Sequence, residues 1–192
     1  MNFRNKNHPQ TRGIVFTEIA LYALLLACVS GPIVLSLVTT LKSAAHTNVR
    51  MNVGQASRTA LLRIEEDLRR ALKSTVAVGT GSSKITFNVE GGFNGAAVIP
   101  GDSIEYQVQL AEGEELNSVD DNKNGLVDEA RLIRRNLTKG QQMVVAENLG
   151  YTQSYFSFDG KAVTVRIASL GALRSEQYTY QIATDLTIYP RN

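Results

Sequence analysis

The segment Asp120-Asp121-Asn122-Lys123-Asn124-Gly125-Leu126-Val127-Asp128-Glu129 places oxygen side chains at alternate positions, Asp120, Asn122 and Asn124, and follows them with a glycine. Hard cations take oxygen ligands, and the front half of a calcium loop has this layout. Alternate residues turn inward, the glycine permits a sharp turn, and the next backbone carbonyl, here that of Leu126, is a ligand. Asp128 and Glu129 offer the carboxylates that follow. The rear half departs from the pattern, because the position for a bidentate glutamate holds Arg131. Glu129 or a residue from elsewhere has to substitute. The spacing therefore predicts a Ca2+ site at Asp120, Asn122, Asn124, Leu126, Asp128 and Glu129. The plainer alternative is a solvated acidic turn built on Asn124-Gly125. Residues 111–130 carry seven carboxylates against one base, Lys123, and have no apolar periodicity, so a long loop is expected there.

A second carboxylate stands in an unusual place. Residues 14–41 are the longest apolar stretch, long enough to cross a bilayer core of about 30 Å as a helix. Glu18 lies near its start. A charge in a membrane span costs at least about 2.5 kcal/mol, so such a group is kept when it pairs with a cation or reaches the headgroups. The stretch is too long for a secretory signal peptide, and such a signal would not carry Glu18. The preceding segment holds Arg4, Lys6 and Arg12 with no acid, which keeps the N-terminus cytoplasmic under the positive-inside rule. Gly31 and Pro32 predict a kink or local melting near Ser30–Pro32. Cys28 reads as an apolar filler in the span.

The chain of 192 residues is 43% apolar and 20% charged, which suits one domain with an anchor. Net charge is +2, and beyond residue 13 there are 17 bases against 18 acids, which argues against a broad nucleic-acid-binding face. One cysteine excludes an intrachain disulfide and a cysteine-rich zinc site. No histidine follows His46, and no nucleophile elbow or phosphate loop is present, so an enzyme is not expected. A local patch of Arg131, Arg134, Arg135 and Lys139 leaves a binding module for DNA uptake or adhesion as the alternative; a solvated strand face accounts for the same bases.

After Leu41 the helical pattern continues. Val49, Val53, Ala56, Ala60, Leu61, Ile64, Leu68 and Leu72 recur at three- and four-residue steps, with Arg50, Arg58, Arg63, Glu65, Glu66, Asp67, Arg69 and Arg70 between them. One helix from about Ile14 to Leu72 is expected, weakest at Gly54. Strands are expected at Lys84–Val89, Ser103–Leu110, Arg131–Leu137, Gln153–Phe158, Ala162–Ala168 and Gln177–Tyr189, with a type I′ turn at Asp159-Gly160. Gly91–Gly101 reads as a loop. The fold class is α+β: a long N-terminal helix, membrane-spanning in its first half, packed on an antiparallel sheet.

These features together resemble a family. A short basic leader ends in Gly13, an apolar run starts at once, and Glu18 is the fifth residue after that glycine. This is similar to the class III signal of type IV prepilins and type II secretion pseudopilins. The helix followed by an antiparallel head resembles the pilin-like architecture, and the order of later features resembles the J-type minor pseudopilins and W-type minor pilins. The resemblance implies cleavage between Gly13 and Ile14 by a prepilin peptidase and methylation of the Ile14 amine, which then pairs with Glu18 of a neighbouring subunit. It implies a leader at 1–13, a transmembrane helix at 14–41, its amphipathic continuation at 42–73 and a periplasmic head at 74–192. It further implies a single-pass protein of the bacterial inner membrane. Its partners would be other pilin or pseudopilin subunits. The departure is Ile14, where the family usually has Phe. Glu18 also sets the chain apart from the tip-capping K-type pseudopilins.

Overall fold

A computed structural model describes residues 11–173 and 178–191. The leader expected at 1–13 thus lies mostly outside the described residues. Gly13 and Ile14 are helical in backbone. One helix, α1, runs from Thr11 to Arg69, 59 residues. The chain divides after Ala45 into two compact units.

In the first unit the helix carries its apolar side chains into the surroundings. Phe16 is 76% exposed and Leu26 73% exposed, and Val15, Ile19, Tyr22, Ile33, Leu35 and Leu41 are exposed as well. A continuous apolar surface of this size on a helix is unsuited to water and suited to lipid or to other helices. The helix is the one span among the described residues long and apolar enough to cross a membrane, and it lies near the N-terminus. Of the kink or local melting expected near Ser30–Pro32, melting does not occur: helical backbone continues through Pro32. Hydroxyls along this stretch turn back onto the helix, as where Thr39 and Thr40 donate to the carbonyls of Leu35 and Ser36, both at 2.8 Å.

In the second unit the helix enters a core. Val53, Ala60, Leu61, Ile64 and Leu68 are buried, as the three- and four-residue spacing predicted. The helix ends at Arg69, short of the expected Leu72, and two short 3-10 turns at Lys73–Thr75 and Thr80–Ser82 lead into the sheet. The strands are β1 (Ala77–Val78), β2 (Lys84–Phe93), β3 (Val98–Leu110), β4 (Glu129–Asn136), β5 (Gln141–Gly150), β6 (Tyr155–Phe158), β7 (Val163–Leu173) and β8 (Tyr178–Ile188). All pair antiparallel, in the order β1-β2-β3-β4-β5-β7-β6, with β8 also on β7. Ile85 and Phe87 of β2, Ile104, Tyr106 and Val108 of β3, Leu132 of β4, and Val163, Val165 and Ile167 of β7 alternate inward onto Ala60, Ile64 and Leu68. Burying a side chain of this kind contributes about 1.5–3 kcal/mol, so these rows hold the helix to the sheet.

The sheet departs from the sequence reading in three further ways. Gly91–Gly101 is not a loop: β2 and β3 extend into it as a hairpin whose ends pair Phe93 with Val98. Gly91 and Gly101 face each other so closely that a Cβ on either would meet the other's backbone at 2.7 Å. The glycines allow close backbone approach rather than interrupting the strands. Strand β5 was not foreseen, because Gln141–Val145 is largely exposed and does not alternate cleanly. The turn at Asp159-Gly160 is not type I′. Four residues separate the paired Phe158 and Val163, and of the two central residues only Gly160 has positive φ, at 86°. Asp159 instead accepts the backbone N–H groups of Lys161 and Ala162, both at 2.7 Å, and those bonds hold its carboxyl below the usual range.

Candidate functional site: the acidic loop

Residues 111–128 join β3 to β4 without helix or strand, as their composition predicted. The loop's own polar groups give it shape. Asp120 accepts the N–H of Asn124 at 3.1 Å and of Gly125 at 2.8 Å through its two oxygens. Asp128 Oδ1 accepts from the N–H groups of Asn117 and Ser118, each at 3.0 Å. Asp121 Oδ2 accepts from Glu115 N–H at 3.2 Å and Asn117 Nδ2 at 2.9 Å. These carboxylates satisfy backbone donors that no ladder serves. Gly125, at φ 94°, turns the chain against Ala172 of β7.

Glu129 and Glu114 differ from these. Glu129, the first residue of β4, is 1% exposed, and Glu114 is 7% exposed. Glu129 Oε1 accepts from Asn122 Nδ2 and Asn124 Nδ2, both at 2.6 Å. Glu114 Oε1 accepts the N–H of Asn122 at 3.0 Å. The second oxygen of each carboxylate is sealed from solvent and receives no hydrogen bond. A buried polar atom left unserved costs about 1–3 kcal/mol, and more when charged. Asn122 joins the two glutamates through its side chain and its backbone.

Glu129, Asn122 and Asn124 line a cavity of about 160 Å3, together with Glu112, Glu147 and Arg131. Arg131 reaches Glu112 at 3.9 Å, while its Nε is buried without an acceptor. A larger neighbouring cavity of about 340 Å3 lies between the second half of α1 and the loop, lined by Asn52, Asn124, Leu126 and Gly171 among others. Among the described residues no serine, cysteine or histidine lines it.

The structure thus sorts the six residues of the sequence motif. Asn122, Asn124 and Glu129 come together. Asp120 and Asp128 are turned to backbone N–H groups, and Leu126 is buried by its side chain, 4% exposed. Among the described residues no three His, Cys, Asp or Glu side chains converge as a ready metal cage. Glu114 was missed, since it lies outside the D-x-N-x-N-G pattern. Its only signal in the sequence was membership of the acidic run.

The other residues singled out are placed as follows. Glu18 is exposed on the apolar helix, and Tyr22 one turn on donates to its Oε1 at 3.4 Å. The basic patch is not a free cationic surface. Arg134 meets Asp67 at 2.6 Å, Arg135 meets Glu105 at 2.9 Å, Lys139 meets Asp102 at 2.6 Å, and Arg131 faces Glu112. Lys139 and Asn136 hold the Asp102 carboxyl below its usual range by hydrogen bonding. Comparison of the chain with protein-family models, with curated proteins and with solved structures found no match.

Proposed function

We propose that the protein is a minor pilin or pseudopilin: a non-enzymatic subunit held in the inner membrane by α1, with its head in the periplasm, and assembled into a type IV pilus or type II secretion pseudopilus. The observation that carries this reading is the position of Glu18, the fifth residue after Gly13, near the start of an exposed apolar surface on α1, a helix whose later residues Val53, Ala60, Ile64 and Leu68 are buried against a β-sheet. A helix of that kind has two uses for one surface. It dissolves the subunit in lipid, and it packs against like helices when the subunit leaves the membrane. Glu18 is costly in the first setting and useful in the second, where the Ile14 amine freed by processing would neutralise it. The bases considered for DNA or adhesion each face a carboxylate, so nothing favours a separate binding reading.

The test is the mature N-terminus. The full chain is extracted from membranes of cells with an active prepilin peptidase and its intact mass measured. An N-terminus at Ile14, methylated, is expected. An intact Met1, or cleavage near Ala45, overturns the reading.

A further inference from the structure

We infer that the free edge of β8 accepts an antiparallel strand from a different polypeptide, which extends the sheet by one strand. β8 pairs with β7 along its whole length of 11 residues, and with no other strand among the described residues. Its opposite edge presents a row of backbone N–H and C=O groups beside exposed side chains. Beyond Ile188 that edge is closed, because the N–H of Arg191 donates to the Ala71 carbonyl and the Arg191 carbonyl accepts from Lys73. Before Ile188 it is open. Open edges recruit other chains, so they are normally kept short, bulged or guarded by Lys or Pro. The strands that end the sheet order, β1 and β6, follow that rule with 2 and 4 residues. β8 does not. It contains no Pro, Lys or Arg, its register against β7 has no shift, and its Tyr, Thr and Ile residues favour strands.

The two faces of β8 specify the strand it takes. Tyr180 meets His46 and Ile182 lies against Gly54, both on α1, so these residues and Leu186 face the helix. Thr179, Gln181, Ala183, Asp185 and Thr187 alternate with them and are exposed. A matching strand carries apolar residues on the helix side and polar ones on the other. Asp185 is the single charge of β8. Its side chain is 58% exposed, and it meets Arg166, directly opposite on β7, only at 3.6 Å. A Lys or Arg across from Asp185 on the added strand offsets that charge from the other side. A second copy of the chain is a poor occupant. Antiparallel β8–β8 pairing needs a two-fold axis normal to the sheet, and that axis reverses α1 residues 46–69 between the copies. Their His46 ends then point opposite ways, and the apolar half of α1 precedes His46 in the chain. Two copies anchored in one bilayer cannot pair in that manner. The inference needs neither Glu18 nor cleavage at Gly13, so it stands apart from the filament reading.

The experiment uses the full chain in detergent, and the probe is a fluorescein-labelled peptide with the β7 sequence Val163–Leu173. That sequence already matches β8 and sets Arg166 against Asp185. Fluorescence anisotropy should show saturable binding of one peptide per chain. Two further peptides are N-methylated at alternate residues, so that each lacks the N–H groups of one backbone edge. One of the two should bind as the plain peptide does, and the other at least tenfold more weakly. Asp185→Lys should weaken the plain peptide at least threefold, and Glu66→Gln, on α1, should leave it unchanged. Hydrogen exchange separates edge addition from replacement of β7: the peptide should slow β8 amides that exchange freely in the chain alone. Absence of saturable binding to the wild-type chain overturns the inference. So does equal binding of the two methylated peptides, or binding without slowed β8 amides. If β8 amides are slow in the chain alone and become fast on dilution, a second copy holds the edge, and that result overturns it too.

Discussion

One oxygen of Asp67, Oδ2, receives both the Arg134 guanidinium at 2.6 Å and the Tyr106 hydroxyl at 2.7 Å. Asp67 is on α1, Tyr106 on β3 and Arg134 on β4, and the last two are directly opposite in the strand register. The three groups tie the last turns of the helix to one rung of the sheet. Apolar rows alone would let the helix slide by small steps. A charge pair almost sealed from water does not, because every displaced position leaves a charge buried and unpaired.

Asp67→Ala should therefore destabilise the head by about 3–5 kcal/mol, since Arg134 stays largely buried without its carboxylate. Replacing both partners with apolar residues of similar volume should recover most of that loss. Denaturant unfolding of the full chain in detergent measures both. A loss of under about 1 kcal/mol for Asp67→Ala would place the pair at the surface in effect.

Gly171 on β7 lies where a Cβ would overlap a methyl group of Val53 and come 2.9 Å from one of Val49. The missing side chain lets the helix close onto β7. Gly171→Ala should cost about 1–3 kcal/mol by overpacking. In that background Val53→Ala should restore part of the stability, although Val53→Ala alone removes buried methyls and is destabilising. Strict additivity of the two substitutions would show that they do not share the contact.

The sequence revealed the fold better than it revealed these contacts. The rows Ile85, Phe87 and Ile104, Tyr106, Val108 alternate cleanly, and the helix spacing named its buried side, because burial of one face imposes a period on the residues. Asp67 was grouped with the outward charges. Nothing local distinguishes a carboxylate that meets Arg134 from one that meets water, since the partner is 67 residues away. Strand β5 shows no period because few of its residues are buried. In the acidic loop the alternation of Asp120, Asn122 and Asn124 was legible. The division of labour was not, because backbone N–H groups compete for the same oxygens. Glu114 is brought in by chain folding alone.

Glu18 gives a prediction on assembly. Glu18→Ala removes a charge from the candidate membrane span, so insertion should equal or exceed wild type. On the proposed pilin reading, incorporation into filaments should fall, because the Ile14 amine proposed to pair with Glu18 on a neighbouring subunit would lose its carboxylate. Membrane fractionation and recovery in sheared or cross-linked filaments read the two steps separately. Assembly at the wild-type level would leave Glu18 as a headgroup-reaching residue and remove its pairing role.

Tyr106 gives a prediction on stability at alkaline pH. Burial first, and then the Asp67 carboxylate beside it, push its phenol well above the ordinary value of 10.0. The folded state thus keeps this proton at a pH where the unfolded chain gives it up. A group raised in the folded state contributes stability in full below its unfolded pKa and loses it as pH rises beyond that value. The loss for one such group is about 1.4 kcal/mol per pH unit. Stability should hold up to about pH 9.5 and fall from about pH 10 upward. Tyr106→Phe removes the titrating group and also a hydrogen bond to Asp67, so near pH 8 the variant should be less stable by about 1–2 kcal/mol. As pH rises past 10 that deficit should shrink, because only the wild type is losing the Tyr106 contribution. Lysines titrate in the same range, but they do so in both proteins and cancel in the difference. Denaturant midpoints for the two proteins at pH 8, 9, 10 and 11 decide the matter. A constant difference across that range would mean that Tyr106 ionises in the folded head as freely as in the unfolded chain, and its burial against Asp67 would then have no part in the alkaline transition.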